Sequence, residues 1–429
     1  MRLRAGQGEF DDYRAFLGRY GDWPGLPLLR RVGERSIPEG ADPAAVIAYF
    51  EPLAPQTGAG AVRLVAAHLA AGRGGDAAAE AVRAWRSLPM AAEDEAALLA
   101  THAQTLAPHH AARLDMLLWE GAAEAAERMM PRVDRGWRLL ARARLALRAL
   151  EPGVDARIAE VPAALAGDGG LAYERFLWRL RKGRADSARD LMLERSTGAA
   201  ALARPEAWAD RRRSFAREAM RAGEAELAYA LASRHFLAEG AHFADLEWLS
   251  GYIALRKLGD PARALGHFER FGAAVATPIS LGRAGYWIGR AQEALGNAEA
   301  ARAAYSLGAE HQTSFYGQLA AERGGFPPDP ALAGAAPAGD WRQMGFAGST
   351  VLAAALHLHR AGDRDLAERF LVHLGESLDA AGLAALAELA LEIGRPHAAL
   401  MVAKEAARQG VTLPRPYYPL TGLAAMDMP

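Results

Sequence analysis

Cysteine is absent from all 429 residues, which excludes disulfides, thiol nucleophiles and cysteine-ligated metals. That absence fits a reducing cytosol, and equally an oxidising compartment in which thiols are avoided. No stretch approaches the roughly 18 uncharged apolar residues that a membrane span needs. The first ten residues, MRLRAGQGEF, lack the apolar core of a secretion signal, so the chain reads as cytosolic or as the mature or trimmed form of an exported protein. Fifty Lys and Arg against 51 Asp and Glu leave a net charge of −1, too little to recruit nucleic acid or an anionic membrane. Alternating β-branched runs are nearly missing. There is no Gly-x-Ser-x-Gly elbow, phosphate loop, dinucleotide fingerprint or His-Glu-x-x-His. His357 and His359, two apart, point to different sides of a helix, and His109-His110 read as surface residues at a helix start. Glu93-Asp94-Glu95 and Glu124/Glu127 read as solubilising faces. The basic runs Arg179–Arg184 and Arg211–Arg213 read as solvated helix faces rather than anion sites. No catalytic residue, metal or cofactor is expected on these grounds.

What the chain has in quantity is apolar helix. Hydrophobic residues make up 51% with a mean hydropathy of −0.07, enough to build a large core, and alanine supplies much of it, favouring helix over strand. A glycine followed five residues later by an alanine recurs at Gly183/Ala188, Gly223/Ala228, Gly259/Ala264, Gly296/Ala301, Gly362/Ala367 and Gly394/Ala399. Glycine suits the left-handed residue that closes one helix. The alanine then falls early in the next, where a small side chain permits close approach. Leu258–Phe268 matches Leu295–Tyr305 at an offset of 37 residues, including an aromatic nine residues after each glycine. A period in the thirties signals stacked helical hairpins, with Ala264 and Ala301 in equivalent positions. Asp42-Pro43 and Asp260-Pro261 read as N-caps with proline at the first helical position. The expected fold is all-α: a solenoid of hairpins, ring-like and tetratricopeptide-like, followed by a small α-helical domain. Its expected parts are an array over 1–325, a Gly/Pro-rich connector over 326–340, about four helices over 341–412, and an extended, proline-punctuated connector over 413–429.

Aromatic residues gather in the second half. Trp248 and Tyr252 are four apart and share a helix face; Tyr286-Trp287 fall in the next repeat, and Phe315-Tyr316 follow. Such rings can stack on sugars or peptides, although at helical spacing packing between helices is the commoner use.

Phe16–Gly25 (FLGRYGDWPG), Leu246–Tyr252 (LEWLSGY), Pro278–Arg290 (PISLGRAGYWIGR) and Thr313–Ala320 (TSFYGQLA) together resemble the helical part of soluble lytic murein transglycosylases. The specific portion is the Tyr-Trp/Gly-Arg run followed by Ser-Phe-Tyr-Gly-Gln-Leu. The resemblance implies a superhelical ring with its linker domain, beginning part-way into the family's first helices. It implies a periplasmic location and a lysozyme-like catalytic domain following Pro414–Leu420. In that family a glutamate in a Glu-Ser-x-Phe motif, followed by Gly-Leu-Met-Gln, protonates the glycosidic oxygen. The sugar's own 6-hydroxyl attacks, so that MurNAc–GlcNAc bonds are cut to 1,6-anhydro ends in cell-wall turnover. Glu376-Ser377 lacks the Phe and the Met-Gln, so no catalytic residue carries over and the chain alone is expected inactive. The candidate glycan or packing contacts are Trp248, Tyr252, Tyr286, Trp287, Tyr316 and Gln318, and any ligand surface is expected on the concave side of the array. The implied partners are peptidoglycan strands, the catalytic domain and other cell-wall proteins, not nucleic acid. The competing readings are a freestanding, cytosolic scaffold for protein partners and, more weakly, an intact enzyme with an unrecognised site.

Overall fold

The computed structural model describes residues 2–333 and 339–420. Every regular element among them is helical. The chain divides into two compact units: residues up to Gly21 together with Gly25–Trp208, and Asp22–Pro24 together with the chain from Ala209 onward.

In both units the glycine–alanine device closes one helix and opens the next. Gly183, Gly223, Gly259, Gly296, Gly362 and Gly394 all adopt left-handed φ between 67° and 84°, a region where a Cβ is costly. The alanine five residues on is in each case the fourth residue of its helix, as in Ala185–Arg195, Pro261–Ala273 and Ala298–Ala309. All six alanines are 2% exposed or less. Ala264 and Ala301 thus hold the same place in consecutive hairpins. The device also operates at Gly72/Ala77 and Gly121/Ala126, with φ of 73° and 74° and both alanines fully buried.

The first unit buries charge as well as alanine. Arg113, fully buried, lies 4.2 Å from the centre of the Trp85 ring and donates to Glu95 at 2.7 Å. Arg128 donates to the other Glu95 oxygen at 2.9 Å. Glu95 is therefore not a solubilising residue: it is 6% exposed and neutralises two guanidinium groups. Arg212, in the second unit, likewise leaves the solvated face expected of it. It is 1% exposed, donates to the Leu231 carbonyl at 2.9 Å, and burial pushes its pKa down to about 10.

The second unit also contains four helices, Thr350–Arg360, Arg364–Gly375, Ala380–Glu392 and Pro396–Arg408, around a leucine and alanine core. Trp23 packs edge-on against Phe370, 5.1 Å between ring centres, and donates to Thr350 Oγ1 at 3.0 Å. The segment after this group is not wholly extended. Pro414–Tyr417 forms a single helical turn, because proline's fixed φ suits a first turn, and Tyr418 Oη donates to the Thr313 carbonyl at 3.1 Å. Residues 334–338 of the expected first connector and 421–429 of the second lie outside the described residues.

Candidate functional site

The second unit gathers five of the six candidate residues into one aromatic cluster, and the reason begins with glycine. On the helix Pro278–Ala294, Gly282, Gly285 and Gly289 lie along one face. A Cβ on Gly285 would stand 2.5 Å from the Gly308 amide nitrogen, and one on Gly282 2.6 Å from Ser314 Oγ. Only glycine lets this helix touch the backbone of Ala298–Ala309 and the start of Phe315–Gly324. With that face spent on packing, Arg283, Tyr286, Trp287 and Arg290, at i, i+3, i+4 and i+7, fall on another.

Trp248 and Tyr252, one turn apart on Gly240–Ile253, stack with centres 5.5 Å apart and planes at 29°. Trp287 meets Tyr252 edge-on at 5.3 Å and lies over Phe268 at 5.6 Å. Tyr286 reaches Tyr316 at 5.5 Å. Tyr286 and Trp287 are buried, whereas Trp248, Tyr252 and Tyr316 are half-buried, so the cluster has a core side and a wet side. Edge-to-face and offset contacts of this kind stabilise by about 0.5–1.5 kcal/mol each beyond area burial. The indole nitrogens of Trp248 and Trp287 are buried without a hydrogen-bond partner among the described residues.

Arginine completes the cluster. The Arg283 guanidinium carbon sits 5.0 Å from the Trp248 ring centre and 5.4 Å from that of Tyr316. Arg290 donates to Tyr286 Oη at 2.9 Å. Gln318 lies apart from the rings. It is exposed and donates to the Gln312 carbonyl at 3.0 Å, tying down the turn before its helix. Gln312 in turn is held by the Pro327 carbonyl and the Asp329 amide, each at 3.0 Å.

Glu247, the residue before Trp248, centres a polar network that sequence reasoning missed. Glu247 is 4% exposed. One oxygen faces His235 Nε2 at 3.0 Å; the other faces His267 Nδ1 at 2.6 Å and Arg270 Nε at 3.0 Å. The Leu237 amide donates to His235 Nδ1, which places that imidazole's proton on Nε2, facing the carboxylate. Tyr229 Oη stands 2.8 Å from His267 Nε2. Burial pushes the Glu247 carboxyl up, but hydrogen bonds from His235, His267 and Arg270 outweigh it and hold the group well below the usual carboxylate range. Such a carboxylate is a fixed anchor, the opposite of a general acid. The motif contained Glu247, but its partners stand 12, 20 and 23 residues away, at no diagnostic spacing.

Two of the carboxyls that burial raises have other work. Glu34 accepts from the Gln56 and Thr57 amides at 2.8 Å each, and burial dominates its upward shift. Asp168, also raised chiefly by burial, caps a helix through the Leu171 amide at 2.7 Å. Glu376 is exposed and pairs with His373 at 3.0 Å. No group of three or more His, Asp or Glu among the described residues is placed to hold a metal. None of their helices is long and apolar enough to cross a membrane.

No protein-family model matches the chain, and no curated protein matches it. Solved structures do. The lytic transglycosylase Slt from Pseudomonas aeruginosa, in an inactive mutant form, superposes over 98% of this chain with a TM-score of 0.62 and 18% identity. The 70 kDa soluble lytic transglycosylase from Escherichia coli matches over 99% of this chain with a TM-score of 0.49 and 14% identity. This chain spans 66% of the length of the first and 68% of the second. Its all-helical fold is thus shared with the matching part of a lytic transglycosylase.

Proposed function

We propose that this chain is the glycan-holding helical part of a periplasmic lytic transglycosylase. In this role it positions peptidoglycan strands for a catalytic domain that cuts MurNAc–GlcNAc bonds to 1,6-anhydro ends. The observation that carries the reading is the match to the Pseudomonas transglycosylase along 98% of this chain. The segments Leu246–Tyr252, Pro278–Arg290 and Thr313–Ala320, which resemble the family in sequence, supply the aromatic cluster of the second unit. Half-buried Trp248, Tyr252 and Tyr316 offer flat faces and phenol tips, the chemistry that suits a pyranose. The chain's own carboxyls support a holding role rather than cleavage. Glycosidic cleavage needs an acid kept protonated beside the scissile oxygen. Here Glu247 is locked as the anion, Glu34 and Asp168 are bonded to helix starts, and Glu376 stands in solvent.

The test is binding and cleavage together. Purified chain should co-sediment with sacculi, and Trp248→Ala, Tyr252→Ala or Tyr316→Phe should weaken binding by about two- to tenfold, the worth of one aromatic or hydrogen-bonding contact. No 1,6-anhydromuropeptides should be released. Unchanged binding in all three variants returns these rings to packing alone. Release of anhydro products, abolished by a substitution within the chain, defeats the holding role.

A further inference from the structure

We infer that Arg283 is an anion-binding residue that selects saccharides carrying a carboxylate. The inference rests on the glycan-holding reading and adds a chemical preference to it. Several half-buried arginines elsewhere in the chain hold carboxylates, as Arg148 with Glu174, Arg213 with Asp245 and Arg290 with Glu293, and others hold backbone carbonyls, as Arg179 with that of Ser187. Arg283 has neither an ion-pair nor a hydrogen-bond partner among the described residues, and its Nε is buried unpartnered. Its guanidinium is nevertheless held in place between the rings of Trp248 and Tyr316, at 5.0 and 5.4 Å.

A guanidinium stacked on aromatic faces loses part of its hydration and gains cation–π attraction. Its Nε is enclosed, and the terminal N–H groups, without a partner among the described residues, stay free to donate. With the arginine's orientation already set, a carboxylate can add two parallel hydrogen bonds at a reduced ordering cost. The flanking Trp248 and Tyr316 are half-buried; Trp248 is already stacked on Tyr252, so a sugar ring would lie against Tyr316 while its acidic substituent reaches the arginine. The glycine-packed face of Pro278–Ala294 fixes where Arg283 stands, so the site is built into the helix rather than borne on a loop.

Three probes separate the outcomes: a neutral N-acetylglucosamine hexasaccharide, a peptide-free glycan fragment of equal length bearing lactyl carboxylates, and a muropeptide whose carboxylates lie on its peptide. Calorimetric titration of the intact chain should show the preferred acidic probe binding about tenfold or more tightly than the neutral one, the worth of a charge-assisted pair. The preference should shrink as salt is raised. Which acidic probe is preferred identifies the source of the carboxylate. Arg283→Met should bring the ratio close to one, whereas Arg408→Met, which removes an exposed charge elsewhere, should leave it in place. A thermal melt matched to the parent chain verifies that Arg283→Met is folded. A wild-type ratio near one, or a ratio that survives Arg283→Met, overturns the inference while the glycan-holding reading stands. Failure of all three probes to bind removes that reading, and the inference with it.

Discussion

At the scale of single residues, the buried charges are the part of this protein hardest to read from its sequence. Glu95 and Glu247 occur in alanine- and leucine-bearing helices, where a glutamate ordinarily faces water. Their partners, Arg113, Arg128, His235, His267 and Arg270, lie 12 to 33 residues away, and neither neutralises its charge at a helical spacing. The energetic consequence for Glu247 has a definite sign. Its folded pKa is depressed, so it contributes stability that is complete above the ordinary carboxyl value of 4.5 and is lost as the pH falls from there toward the folded value. Glu247→Gln should therefore cost about 2–4 kcal/mol at pH 7, where a charge partner is removed from a buried network. The difference from wild type should narrow below about pH 4.5. Urea unfolding of both proteins between pH 7 and pH 3 measures it; a difference independent of pH would mean that the ionised carboxyl is not what stabilises the native state. Glu34 and Asp168 act in the opposite sense: burial raises them, so their ionisation in the fold costs stability at neutral pH, and that cost is relieved on acidification.

At the scale of the element, glycine and alanine do what polar residues do at the network, fixing which groups meet. Local signals made the hairpins legible: a left-handed closing glycine and a small fourth residue need no distant partner. The two missed instances, Gly72/Ala77 and Gly121/Ala126, follow the same geometry. In the first, however, Gly74-Gly75 interrupts the helix-forming run, and in the second the helix Ala123–Met129 spans only seven residues. Pro414–Tyr417 escaped because proline marks extended chain and first helical turns alike. Two glycines of the second unit separate conformational from steric causes. Gly285→Ala should destabilise by about 1–3 kcal/mol, since the added methyl meets the Gly308 backbone at 2.5 Å and one helix must move. Gly266→Ala, whose nearest neighbour is the Arg270 side chain at 3.5 Å, should stabilise by about 0.5–1 kcal/mol through helix propensity. Thermal melts compare the two directly, and equal effects would show that the glycine face of Pro278–Ala294 is not in tight contact.

At the scale of the whole molecule, all-helical hairpins were legible from composition and period, whereas the aromatic cluster was legible only in part. The spacing placed Trp248 with Tyr252 and Tyr286 with Trp287, but that the pairs meet each other, with Arg283 caught between Trp248 and Tyr316, depends on packing across three helices. Hairpin architecture also predicts how damage spreads. In stacked repeats each unit rests on its neighbours, so stability is close to a sum of local terms. Ala264 is fully buried at the close approach opening Pro261–Ala273, and Ala264→Leu should cost about 1–3 kcal/mol through overpacking. That helix packs on Gly240–Ile253 and Pro278–Ala294, whereas Thr350–Arg360 and Arg364–Gly375 pack on each other. Native-state hydrogen exchange should therefore quicken over residues 240–294 in the variant and fade beyond them, leaving the amides of residues 350–408 near wild-type rates. Quickening of all amides by one factor would instead mean that the chain opens in a single cooperative step. The hairpins would then be coupled far more tightly than nearest-neighbour packing allows, and the stability lost at Ala264 would be shared by every helix in the chain.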